Sequence, residues 1–307
     1  MPCGIMTNMV KKKLSNRTKG IFCIIAAAFG FAGMTLCVRL AGDVPSLEKA
    51  FFRNFVSLII MSIIILRKGI SPIPERKNVP DLFMRCLCGT IGLMCNFYAI
   101  DRMVITDSTM LNKLSPFFSI LFSIFLLKEK PDKIQIMGVC VALAGSALII
   151  KPGFNNPEMI PAIAGLIGGA GAGSAYTFVR KLSFNGEVSD RIIFWFSAFS
   201  CASCLPFMIH DFHPMELWQF GMLMLAGAFG CVGQFGITRA YMYAPAKEIS
   251  VYDYTQVLFT ALLGWIFLAQ VPDRLSVLGY VCICGAGIGM FFHNKHVDEC
   301  VTEDVSR

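Results

Sequence analysis

Apolar residues in this chain come in runs of about twenty, one after another, separated by short polar stretches. At roughly 1.5 Å of rise per residue, a helix of that length crosses a hydrocarbon core of roughly 30 Å. The pattern predicts ten such helices, over residues 20–40, 47–66, 81–100, 106–127, 132–150, 159–180, 191–209, 216–238, 247–268 and 273–292. Every connection is short, so no soluble domain is inserted. The implied fold class is all-α and integral to a membrane.

One span is less greasy than the others. Between Ser108 and Leu127, the polar residues Asn112, Ser115, Ser119 and Ser123 fall at i, i+3, i+7 and i+11, one stripe down one helix face. Hydrocarbon offers a polar group no partner, so this stripe is expected to face protein or a cavity. Lys113 lies beside it. Pro116 falls near mid-span, where it removes a backbone hydrogen bond and predicts a hinge or a static bend. A second stripe lies 141 residues further on, as Asp253, Gln256, Thr260 and Gly264.

Close packing is the ordinary explanation for small polar residues such as Ser119 and Ser123. Asn112, Asp253 and Gln256 call for more. A charge at mid-bilayer costs roughly 2.5–3.5 kcal/mol on insertion scales, so Asp253 is expected to face a cavity or a partner. Tyr252 and Tyr254 flank it with aromatic surface and hydroxyls. Lys113, at matching depth by the 141-residue relation, is the natural partner. The two would pair when the site is empty, and substrate or a proton would compete for them. A permanent structural pair, or a lysine that snorkels to the interface, are the alternatives.

The same spacing of 141 relates Gly30 to Gly171, Val38-Arg39 to Val179-Arg180, Gly89 and Gly92 to Gly230 and Gly233, and Pro131-Asp132 to Pro272-Asp273. It holds without gaps from about Gly20 to Lys151. Each half contains five predicted spans, an odd number, so the second half enters the membrane in the opposite sense. The expected organisation is a basic tail at 1–19, five-helix repeats at 20–151 and 161–292, and a tail at 293–307. Inverted-topology repeats of this kind build carriers whose substrate site lies near the midplane.

Composition supports a membrane class, with 55% hydrophobic and only 15% charged residues against about 45–50% apolar in soluble domains. A net charge of +7 would suit nucleic acid, but its distribution does not, because the basic residues sit at span ends and in short loops. With the N-terminus inside, the inner loops carry Arg67, Lys68, Arg76, Lys77, Lys128, Lys130, Lys133, Arg180, Lys181, Arg191, Arg239 and Lys247. The outer loops hold little beyond Arg102, Lys151 and Arg274. That asymmetry predicts a plasma-membrane protein with both termini cytoplasmic. The first apolar run is long enough to span, which argues against a cleaved signal peptide. Most of the thirteen cysteines lie within apolar spans, where a thiol behaves as a small hydrophobe.

Other polar positions divide less cleanly. Asn96 in the third span and Tyr176 in the Gly-rich sixth are candidate cavity residues. Arg85 reads as part of the cytoplasmic entry, and Arg53 as a residue that snorkels outward, pairs with Glu48 or Asp43, or helps gate the outer mouth. The small stripes Gly89, Gly92 and Gly230, Gly233 read as packing faces, and Trp195 as packed in protein or lipid. Cys201 and Cys204 have CxxC spacing without a second pair, and His210 and His213 offer too few ligands for zinc. No nucleotide-binding fingerprint appears. No cofactor or metal is expected. The expected partners are a small-molecule solute and the bilayer, without nucleic acid; a homodimer is left open. A membrane-embedded enzyme and a non-transporting subunit are the rival readings.

These residues resemble the drug/metabolite transporter superfamily, in particular its EamA-type ten-helix members, over about residues 20–292. The likeness rests on Glu48 with Phe52-Arg53, and on Leu114-Ser115-Pro116 through Leu127-Lys128-Glu129-Lys130-Pro131 with Gly138. It continues in Ala240-Tyr241-Met242-Tyr243-Ala244-Pro245-Ala246, Tyr252-Asp253-Tyr254-Thr255-Gln256 and Leu263-Gly264-Trp265. The tyrosine-rich run looks like solute exporters related to nucleotide-sugar carriers. The resemblance implies a central cavity lined chiefly by helices one, three, four, six, eight and nine, and transport of small organic solutes. Where the repeats of that family often end the fourth and ninth helices with Glu, this chain keeps Glu129 but has Gln270.

Overall fold

A computed structural model describes residues 16–126, 132–151, 158–210, 213–243 and 250–305. All ten apolar runs are helical, from Thr18–Leu40 to Arg274–His293, and no strand occurs among the described residues. The helices are α1 (Asn16–Leu40), α2 (Ser46–Lys68), α3 (Val79–Arg102), α4 (Ile105–Asn112), α5 (Ser115–Leu126) and α6 (Lys133–Ile150). They continue as α7 (Met159–Phe184), α8 (Ser189–His210), α9 (Leu217–Tyr243), α10 (Thr255–Leu268) and α11 (Arg274–Val305). A 3₁₀ turn, Ser250–Tyr254, leads into α10.

Local chemistry sets several ends. Gly69 takes a left-handed conformation after α2 (φ 63°), and its N–H reaches back to the Ile65 and Leu66 carbonyls. Asp132 and Gln135 form a capping box at the start of α6. Polarity is arranged as a bilayer demands. Leu66, Phe125, Trp265 and Phe267 are exposed, while Lys49, Arg53, Asn54, Asp107 and Lys113 are buried.

The fourth span departs from the single continuous helix expected of it. It breaks at Lys113-Leu114, where Lys113 has φ −70° and ψ 0° and the Leu114 N–H bonds the Leu111 carbonyl. Pro116 falls in the first turn of the new helix α5, a position where its missing N–H removes no intrahelical bond. The ninth span is likewise interrupted, passing from the 3₁₀ turn to α10 at Thr255. Thr255 is the 141-residue counterpart of Leu114, so the two breaks correspond.

Helix pairing follows the same relation. In the tightest contacts α1 lies against α9, α3 against α7, α2 against α8 and α6 against α11, with α5 on α7 and α10 on α1. Exchanging the two halves leaves this pattern unchanged. Two close backbone approaches also correspond. A Cβ on Gly171 would lie 2.7 Å from the Gly92 Cα, and one on Gly30 would lie 2.7 Å from the Gly233 nitrogen. Only glycine lets these backbones meet.

Candidate functional site

Where the two broken spans face each other, a cavity of about 120 Å³ opens in the centre of the bundle. Lys113, at the C-terminal end of α4, meets Asp253, in the turn before α10, with Nζ 2.5 Å from Oδ2. Each charge suits its position, since a cation is favoured at a helix C-terminus and an anion near a helix N-terminus. The expected Lys113–Asp253 contact is therefore present, and it bridges the two halves. The pair is largely shielded, with side chains only 8% and 15% exposed.

Of the sequence candidates, Asn96, Asn112, Lys113, Ser115, Tyr176, Asp253 and Gln256 all line this cavity. Ser119, Tyr252 and Thr260 are not among its lining residues. Ser119 Oγ lies 3.0 Å from Thr177 Oγ1, in the contact between α5 and α7. Ser123 donates to the Ile120 carbonyl of its own helix. Tyr252 packs against Ile24 and Ala240, and Thr260 is fully buried. The break explains the place of the serines. It ends the straight stripe at Asn112 and Ser115, and Ser119 follows α5 into its contact with α7.

Two further cations enter the cavity. Arg53 and Arg85, 4% and 5% exposed, both line it. The reading of Arg85 as part of a cytoplasmic entry gives way to a position about two turns inside α3. Its guanidinium carbon lies 4.3 Å from the Phe196 ring centroid, and that of Arg53 lies 5.9 Å from the same centroid. Arg53 Nη1 donates to Asn54 Oδ1 at 2.7 Å. Neither arginine is ion-paired among the described residues, whereas Lys49, Lys113 and Lys181 are paired with Asp101, Asp253 and Asp81.

Glycines make room for both heads. A Cβ on Gly89 would collide with Arg85 Nη1, and one on Gly230 would lie 3.0 Å from Arg53 Nε. These two glycines are repeat counterparts. Gly92 and Gly233 serve helix packing as expected, but Gly89 and Gly230 leave space for the two guanidinium groups. The sequence carried that signal in the glycine pair, not in the arginines, because Arg53 and Arg85 map to Phe194 and Ala226.

Five buried polar atoms of lining residues have no hydrogen-bond partner among the described residues: Arg53 Nε, Arg85 Nε, Asn96 Oδ1, Thr109 Oγ1 and Asp253 Oδ1. Buried polar atoms in folded proteins are rarely left unsatisfied, and a cluster of them around one cavity calls for water or a ligand.

Polar contacts hold both ends of the bundle. At the end with loops 41–45 and 269–273, Gln270 Oε1 accepts from the Ile105 N–H at 3.1 Å, and Lys151 pairs with Asp273 at 2.7 Å. Tyr280 also donates to Asp107 there. Gln270 thus keeps an acceptor at the start of α4 without a charge. At the opposite end Lys68 pairs with Asp190 at 2.5 Å, Lys181 with Asp81 at 2.8 Å, and Asn78 donates to Glu187 at 2.8 Å. Leu127 to Pro131, including Glu129, and the run Ala244 to Lys247 lie outside the described residues. Cys201 and Cys204 are free, buried thiols.

The EamA-like transporter family matches the chain twice, over residues 18–151 and 159–292. The pseudopaline exporter CntI of Pseudomonas aeruginosa (strain PAO1) is 31% identical over 273 residues, covering 88% of this chain and 95% of that protein. Human solute carrier family 35 member G1 is 26% identical, covering 94% and 83%. The S-adenosylmethionine uptake transporter of Rickettsia bellii is 21% identical, covering 81% and 85%. A solved crystal structure with 16% identity shares the fold, with a TM-score of 0.63 and coverage of 89% of this chain and 97% of that one. The chain belongs to the EamA-like transporter family, within the drug/metabolite transporter superfamily, and is a multi-pass membrane transporter of small solutes.

Proposed function

We propose that this transporter carries a small organic solute by alternating access, around a midplane site formed by the Lys113–Asp253 pair with Asn96, Asn112, Ser115, Tyr176 and Gln256. The observation that carries this reading is the ion pair itself. It joins two interrupted helices inside a cavity ringed by unsatisfied polar atoms. Interrupted helices at the bilayer midplane are how carriers of inverted-repeat design build their sites. The cavity volume of about 120 Å³ is below the roughly 300–1,000 Å³ typical of ligand pockets. Admission of a solute therefore requires the surrounding helices to separate, and breaking Lys113 from Asp253 is part of that opening.

The halves, residues 20–151 and 161–292, act as inverted repeats. The moving bodies are nonetheless mixed. One body comprises α3, α4, α5 and α7, the other α1, α9, the 3₁₀ turn and α10, because these are the close contacts. Basic loops such as Arg67-Lys68 and Arg76-Lys77 face the cytoplasm, with both termini, in the plasma membrane. The chain moves its solute without chemical conversion, and substrate or a proton competes for the Asp253 carboxylate.

Counterflow of candidate solutes in proteoliposomes tests this reading. Exchange of an unaltered solute, lost or reduced at least about tenfold in Lys113→Gln and Asp253→Asn, is the expected result; a tenfold loss corresponds to about 1.4 kcal/mol. Variants that both keep uptake and its pH dependence unchanged would remove the pair from the mechanism. Recovery of a modified solute would replace transport with catalysis.

A further inference from the structure

We infer that the central cavity selects an organic anion with two acid groups, gripped by Arg53 and Arg85 beside the Phe196 ring. This rests on the reading of that cavity as the transport site, and names the chemistry of its solute. A buried cation without a counter-charge is among the costliest arrangements in a folded protein. Here there are two. Both guanidiniums are at least nine-tenths buried, neither is ion-paired among the described residues, and each has an Nε without a partner. Lys113 does not share this condition, because Asp253 already neutralises it. Among the described residues, the cavity lining therefore carries two positive charges in excess.

Each arginine is also housed. Gly89 leaves space for Arg85 and Gly230 for Arg53, and any side chain at either position would press on a guanidinium. Their Cζ atoms lie 4.3 Å and 5.9 Å from one ring centroid, so they are no farther apart than those two lengths laid end to end. One small molecule can thus touch both. The planar fork of arginine matches a carboxylate with two parallel hydrogen bonds, which lysine cannot supply. Two forks with free donors, in a site of +2 excess charge, are complementary to a dianion. Neutral and cationic solutes would leave the arginines uncompensated.

The test begins with the unaltered full-length protein in nonionic detergent. The dicarboxylates from malonate to adipate, their monoamides and their diamides are titrated at constant ionic strength, with calorimetry and thermal shift as readouts. A diacid is expected to bind at least about tenfold more tightly than its monoamide, and the monoamide more tightly than the diamide, as charge-assisted bonds to arginine require. Arg53→Gln and Arg85→Gln are each expected to weaken the diacid by at least about tenfold. Should a glutamine variant not fold, Arg85→Lys keeps the charge without the fork, and a severalfold loss is expected from it. Absence of diacid binding, equal binding of diacid and diamide, or undiminished binding in the arginine variants overturns the inference. Counterflow separates the two readings. Arginine-dependent diacid binding without exchange would keep the anion site and remove the carrier mechanism. Exchange of a neutral solute without diacid binding would do the reverse.

Discussion

The cavity holds its cations in two different ways. Lys113 is matched by Asp253 at 2.5 Å, across the junction of the two halves. Arg53 and Arg85 share an aromatic ring and a pair of glycine recesses, but have no carboxylate partner among the described residues. Both arrangements are buried, and both cost desolvation. The first is neutral in charge and must be broken to do anything; the second is incomplete until something arrives. A carrier needs both kinds of contact, one to hold the empty protein together and one to give the solute a reason to enter.

The largest effect is expected where the neutral arrangement is broken on one side. Asp253→Ala leaves Lys113 as an uncompensated buried charge, and a loss of roughly 3–5 kcal/mol in stability is expected. The double variant Lys113→Met with Asp253→Ala should recover most of that loss in a thermal-unfolding cycle, yet remain inactive in counterflow. If the double variant were no more stable than Asp253→Ala alone, the ion pair would not be the source of the effect.

The incomplete arrangement is sharpened by crowding it instead. A methyl group at Gly89 collides with Arg85 Nη1, while one at Gly230 comes only to 3.0 Å of Arg53 Nε. Gly89→Ala should therefore weaken solute binding more than Gly230→Ala, with both proteins still folded. Equal and negligible effects in a binding isotherm would separate the glycines from the arginines. Away from the cavity the consequences shrink. Ser119→Ala removes the contact with Thr177 and should cost about 0.6 kcal/mol, the average for polar contacts between membrane helices, with exchange kinetics unchanged.

The smallest effect concerns the rim. Lys151 holds the half-exposed Asp273 down to about 2, below the ordinary carboxylate range. A depressed carboxylate stabilises the fold above its unfolded pKa of about 3.9, and the contribution fades as pH falls toward 2. Between pH 7 and pH 5 this pair should contribute no pH dependence. The check is the difference in melting temperature between the parent and Asp273→Asn, which should be the same at the two pH values.

Ten helices were legible because each needs only about twenty apolar residues in sequence. Meeting of Lys113 and Asp253 was legible through the repeat, which put the two at one depth. The breaks were not. Pro116 hints at one of them, but its counterpart Val257 is an ordinary helix residue, and the second interruption has no proline to announce it. Ser119 and Thr260 were carried into the candidate site by treating each stripe as one straight helix face. Arg53 and Arg85 were missed for a different reason. An arginine two turns from a span edge can reach either the interface or the interior, and only its three-dimensional neighbours decide between them.

The backbone contact between Gly30 and Gly233 has a consequence in time as well as in space. The chain is made from its N-terminus, so α1 is synthesised some two hundred residues before the helix that fits against its glycine. A shorter delay separates α3 from α7. During insertion the first five spans must wait in the membrane with their closest-fitting faces covered by lipid or by other proteins. Assembly of the first half is finished by the second, so a ribosome stalled after residue 151 would leave five inserted helices without the neighbours they are shaped to meet.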